Sequence, residues 1–140
     1  MADIPDISAI FGGVQTRLDT ISGLRAHAEM PGNVNPPAAW PDLTSLAIIY
    51  DLDMGGSISM TFNVRLALPS GGPGLVRAQA ALLPYLAASG DQSIKAAIEG
   101  DKTLGGKCQT LRVGTAQGIE DWEFGSTACL KCDWAVTVWP

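Results

Sequence analysis

The sequence is poor in the residues that do chemistry. It holds one histidine and three cysteines in 140 residues. Charged side chains make up 16% of it, below the usual level of about 25%. His27 is the sole imidazole, so a Ser–His or Cys–His nucleophilic pair must use it. No G-x-S-x-G elbow is present. No stretch approaches the ~20 apolar residues that a membrane-spanning helix needs. The opening MADIPDISAI has neither a cationic segment nor an uninterrupted apolar one, so it does not read as a secretory signal. The expectation is a protein made in a cytoplasm, with reduced thiols rather than a disulfide framework. Basic residues are also short: Lys+Arg number 9 against Asp+Glu 14, a formal net charge of -5. A nucleic-acid or anionic-membrane binder needs cationic surface, and this balance argues against both.

What is present is enough for a core. The hydrophobic fraction is 46%, and the length suits one domain, residues 1–140. A low-charge surface also fits a protein partly covered by a partner.

Periodicity lays out the elements. Asp3-Ile4-Pro5 reads as a helix start, and Ile7, Ile10, Val14, Leu18 and Ile21 recur at helical spacing. Gly12-Gly13 interrupts this helix and Gly23 can cap it. Leu24–Ala28 alternates as a short strand. From Met30 to Pro41 the prolines Pro31, Pro36, Pro37 and Pro41 forbid a helix, so an extended loop is expected, with a short edge strand at Ala38–Trp40. Ser45–Leu52 reads as a strand, closed by a turn at Asp51–Gly56. Ile58, Met60, Phe62, Val64, Leu66 and Leu68 then alternate with polar or small residues, the signature of a long strand with one wet face. One wet face favours an antiparallel sheet.

Leu75, Ala78, Leu82 and Leu86 predict a second helix that Pro84 should kink. Asp91 or Ser93 can cap a third, short helix carrying Ile94, Ala97 and Ile98. Lys107–Val113 alternates, Gly114–Ser126 reads as a loop or hairpin tip, and Leu130, Cys132, Trp134, Val136 and Val138 predict a last strand. The order α-β-β-β-α-α-β-β predicts an α+β domain: a mostly antiparallel sheet with an N-terminal helix and two central helices packed on one face.

Several segments resemble chemical motifs and fail on inspection. Cys129-x-x-Cys132 has zinc-ligand residue types, but residues three apart in a strand point to opposite faces. No metal site is expected. Gly100–Cys108 has the look of a phosphate-binding loop, yet its spacing is one residue too long, Cys108 stands where Ser or Thr is needed, and it precedes a strand. Asp51-Leu-Asp53-Met-Gly55 begins like a calcium loop, but the twelfth position is Phe62 rather than Glu. No catalytic and no cofactor-binding residue is assigned.

Glu120-Asp121-Trp122-Glu123-Phe124 is acidic and aromatic between glycines. Two readings stand: Trp122 and Phe124 form a contact surface, or they fold back onto their own sheet. Trp40 has the same two readings. Candidate partner-contact residues, chosen by expected exposure, are Trp40, Asp51, Asp53, Glu120, Trp122 and Phe124. The helix at Leu75–Ala88 is a candidate for lateral packing.

An ordered set of segments carries a family likeness over nearly the whole chain. It comprises Leu18–Arg25, Pro31–Ala39, Tyr85–Gly90 continuing through Ser93–Asp101, Thr103–Gly106, and Leu111–Val113. The set resembles the tail terminator proteins of long-tailed, siphovirus-type bacteriophages, especially those of actinobacterial hosts. No single motif in it is specific; the order is what carries the likeness. The resemblance implies an α+β fold and a structural protein of the virion tail and neck, assembled in the host cytoplasm. It implies a homo-oligomeric ring, typically a hexamer, that caps the tail tube, ends its polymerisation and joins the tail to head–tail connector and neck proteins. It implies no catalysis, no cofactor and no membrane, with genomic DNA passing the lumen without specific binding. An acidic lumen would repel DNA phosphates and let them slide. Competing readings are a head–tail connector or head-closure protein of the same kind of phage, a small enzyme using His27 and a cysteine, and a ligand-binding module, for which no positive feature is found.

Overall fold

The computed structural model describes residues 7–29, 32, 36–50, 58–70, 74–124 and 127–139. Its elements are α1 (Ile7–Leu18), β1 (Arg25–Ala26), β2 (Ala38–Tyr50), β3 (Ile58–Pro69), α2 (Gly74–Leu86), α3 (Ile94–Glu99), β4 (Thr110–Phe124) and β5 (Thr127–Trp139). The order matches the periodicities, and the class is α+β. The 5-stranded sheet runs β1-β2-β3-β5-β4 in space. Every pair is antiparallel except the short β1–β2 pair. The helix start at Asp3–Pro5 and the turns at residues 51–56 and 71–73 lie outside the described residues.

The helices cover one sheet face. The alternating apolar set of β3, from Met60 to Leu68, joins Leu130, Cys132, Trp134, Val136 and Val138 of β5 in one core with Ile10, Phe11, Val14 and Leu18 of α1. Ala78, Leu82 and Tyr85 of α2 and Ile94, Ala97 and Ile98 of α3 complete it. Phe11 and Phe62 meet edge to face at 5.0 Å, a favoured aromatic geometry. Of the two candidate caps for α3, Ser93 serves: its hydroxyl accepts from the Ala96 amide at 3.0 Å.

Three expectations change. Leu24–Ala28 contributes only Arg25–Ala26 as strand. The proline-rich loop and the Ser45 strand merge into β2, and Pro41 lies inside it opposite Val64. The reason is direction. The Pro37 and Ala39 carbonyls accept from the Arg25 and His27 amides, so they point away from β3. Polar groups alternate along a strand, so the donor that Pro41 lacks also points outward, where β3 loses nothing. An irregularity between Asp42 and Ala47 follows. There the Ser45 hydroxyl donates to the Asp42 carbonyl at 2.7 Å and accepts from the Asn63 amide at 2.8 Å, standing in for a ladder bond.

The third change is larger. Gly114–Ser126, expected as a loop or hairpin tip, continues β4 as far as Phe124, so that only the end of the β4–β5 hairpin falls there. Bulges between Val113 and Thr115 and between Gln117 and Glu120 break the alternation that would have marked it. Gly118, at φ 71°, supplies the second. At the first, the Val113 amide donates to Glu99 Oε2 at 2.9 Å, fixing α3 to β4. Burial pushes the Glu99 carboxyl up, but Lys95 and this amide outweigh it and hold its pKa below the ordinary value.

Gly12 and Gly13 do not break α1, and the two have different reasons to be there. A Cβ on Gly13 would lie 2.8 Å from the Leu104 Cβ, whereas one on Gly12 meets nothing within 4 Å. Gly13 is therefore the seat of Leu104, which is buried at φ 51°. Gly12→Ala is expected to raise stability by about 0.5–1 kcal/mol. Gly13→Ala should lower it by about 1–3 kcal/mol through overpacking. Urea unfolding of the two variants measures both signs.

Candidate functional site

No described helix packs on the other sheet face, yet its middle is buried. Alternation puts Ala38, Trp40 and Asp42 of β2 on it, with Asn63, Arg65 and Ala67 of β3, Cys129, Lys131 and Asp133 of β5, and Glu120 and Trp122 of β4. Trp40 and Trp122 come from strands three places apart, about 14 Å in a flat sheet. Their rings nevertheless meet at 6.0 Å and 43°. The strands between them carry only Ala67 and Cys129 beneath the indoles, and these residues form one buried cluster. Arg65 lies 5.4 Å above the Trp122 ring, within cation–π range.

Beside the tryptophans runs a chain of charges. Arg65 reaches Asp133 Oδ1 at 3.0 Å and Asp42 Oδ2 at 3.4 Å. Lys131 Nζ reaches Asp133 Oδ2 at 3.1 Å, Glu120 Oε1 at 3.4 Å and the Gly118 carbonyl at 3.1 Å. Asp42, Lys131 and Asp133 are all buried. Burial lowers the Arg65 pKa, but the Asp133 hydrogen bond and the charges of Asp133, Asp42 and Glu120 outweigh it and raise it above its ordinary value. The guanidinium stays charged at any working pH.

The candidate contact residues divide. Trp40 is 0% exposed, so it has no surface for a partner and takes the second of its readings. Its Nε1 has no hydrogen-bond partner among the described residues. Trp122 is half-buried on Trp40 and also folds back on its own sheet. Glu120 keeps 63% of its side chain exposed while touching Lys131. Phe124 pairs with Thr127 at the end of the hairpin. Asp51 and Asp53 lie outside the described residues. Trp40, Trp122 and Glu120 are thus gathered on one face by β2 and β4. Arg65, Asp42, Lys131 and Asp133 join them without having been singled out as candidates.

The remaining reactive groups are scattered. Cys129 faces the tryptophan cluster and Cys132 the helix-packed core, so the pair diverges. Cys108, Cys129 and Cys132 are buried thiols, none of them in a disulfide. Burial raises all three thiol pKa values, Cys132 to about 11, the reverse of an activated nucleophile. Among the described residues, no group of three or more His, Cys, Asp or Glu is placed to hold a metal. In the segment that looks like a phosphate loop, the Asp101 carboxylate itself accepts from the Thr103 and Gly105 amides. No described helix is long and apolar enough to cross a membrane. No protein-family model matches the chain, and no curated protein matches it. The class that fold and site define is a small α+β domain with a buried ion network on its helix-free face.

Asp133 is bound by both the buried Lys131 and the half-buried Arg65. Asp133→Ala is expected to cost about 3–5 kcal/mol, the usual penalty for breaking a buried pair. Asp91→Ala, at an exposed turn, should stay within about 0.5 kcal/mol, both read from urea midpoints. Cys132 gives a pH signature. Its folded pKa is raised, so the folded state holds the thiol proton more tightly than the unfolded chain does. Stability then falls as pH rises from 9.0 to about 11. Cys132→Ala should flatten that part of the stability–pH curve.

Proposed function

We propose that this chain is a structural ring subunit that caps the tail tube of a long-tailed bacteriophage and joins it to the neck. The sequence resemblance motivates the reading. The α+β architecture, with helices on one sheet face, agrees with what that family implies. The observation that carries it furthest is the state of the sheet edges. Among the described residues, β4 has a neighbour on one side only, and β1 covers β2 only at Ala38–Ala39. The uncovered part, Leu43–Tyr50, carries no charge, with Leu43 61% exposed and Tyr50 66% exposed. Soluble monomers blunt such edges with charge, proline or bulges; beyond the irregularity between Asp42 and Ala47, the stretch Ala47–Tyr50 has neither charge nor proline, which suits a subunit with a lateral neighbour.

The reading also supports a passive role. The buried thiols are held protonated, and the tryptophan and ion clusters are spent on internal contacts. A ring subunit works by shape and surface. Light scattering of the purified protein, alone and mixed with the tail tube protein, tests this, with negative-stain images of each peak. Rings seated on tube ends are the expected result. A protein inert towards tubes that binds portal complexes instead would be a head–tail connector.

A further inference from the structure

We propose that the free edge of β2, Leu43–Tyr50, pairs antiparallel with β4 of a second copy of this chain. Arg25 of one copy then lies beside Glu120 of the next. The proposal rests on the ring reading for its closure into a circle.

Three observations select the second copy's β4 as the occupant. The first is strand direction. From β2 to β4 the chain direction reverses at each step, through β3 and β5. A neighbour reached by a small rotation keeps its strand directions. Its β4 therefore arrives antiparallel to β2, the arrangement with the better ladder.

The second is charge. The registers Arg25↔Ala38, Ala38↔Ala67, Ala67↔Lys131 and Lys131↔Glu120 form one row across the sheet. A basic residue thus marks one edge at the level where an acidic residue marks the other, on the same face. Glu120 keeps 63% of its side chain exposed there. A neighbour set level with this copy brings unlike charges together.

The third is apolar continuity. A second row runs Ile48↔Met60↔Val138↔Leu111, all on the helix-packed face. Joined level, Ile48 of one copy meets Leu111 of the next, and the core face continues across the junction. β4 is 15 residues long, enough to cover the free part of β2. From Thr110 to Gln117 it carries one charge, Arg112, so this stretch does not repel the uncharged β2 edge. The contact is head-to-tail, the kind that generates rings.

Hydrogen exchange and light scattering over a concentration series test the pairing, with the protein free and on tail tubes. Assembly should protect residues 43–50 and 110–117 together. Ile49→Lys, at a position 59% exposed, should abolish it while circular dichroism stays unchanged. Arg25→Glu alone and Glu120→Arg alone should each lose assembly, and an equal mixture of the two should regain it, because every junction then pairs unlike charges. A dimer that protects 43–50 alone would overturn the proposal in favour of β2 pairing with β2. Assembly that leaves both segments exchanging as in the monomer would overturn it while the ring reading stands. A chain that caps tubes without protecting either segment has the same meaning. A chain that neither assembles nor binds tubes overturns both.

Discussion

Asp133 stands between the buried Lys131 and the half-buried Arg65, and much of the helix-free face is arranged around it. Through Arg65 it is linked to Asp42, and through Lys131 to Glu120 and the Gly118 carbonyl. Those residues lie on β2, β3, β5 and β4, so one chain of charges crosses every long strand. Buried ion pairs add little net stability, because desolvation consumes most of the Coulombic gain. What this network contributes is register. A one-residue slip of β5 would turn Lys131 and Asp133 into the helix-packed core, where unpaired charge is far more costly. The apolar alternation on the other face opposes the same slip.

The tryptophan pair depends on the same registration. Trp40 and Trp122 meet only because Ala67 and Cys129 lie between them and are small. The face is therefore half apolar and half ionic. The two halves share Arg65, which pairs with carboxylates through its guanidinium and lies over Trp122.

Element order and sheet character were legible because β3 and β5 alternate without interruption and each helix carries an apolar stripe. Two features were not. The far half of β4 hides in its glycines, since each bulge resets the alternation that period two detects. Pro41 reads as a strand breaker, and only the hydrogen-bond direction of its neighbours shows that its missing donor is unused. At the site, the tryptophans stood out by type. The ion network did not, because Arg65, Lys131 and Asp133 look like ordinary solvated positions on a wet face. Their burial follows from which strands lie side by side, and strand order is a long-range property. The same holds for the open edges, which exist only once β1 is seen to be two residues long.

The seating of α1 has a consequence for how the protein is made. Arg17 Nε donates to the Ala97 carbonyl at 2.8 Å across 80 residues of sequence, and Leu104 fills the notch at Gly13. At roughly 5–20 residues per second, a ribosome needs about 4–16 s to add those 80 residues. For that interval the first helix has left the tunnel with its apolar stripe and no α3 to receive it. A nascent chain in this state offers a chaperone an apolar stripe that the finished fold buries, and β4, one of the two sheet edges, is still to be made when α3 arrives to cover it.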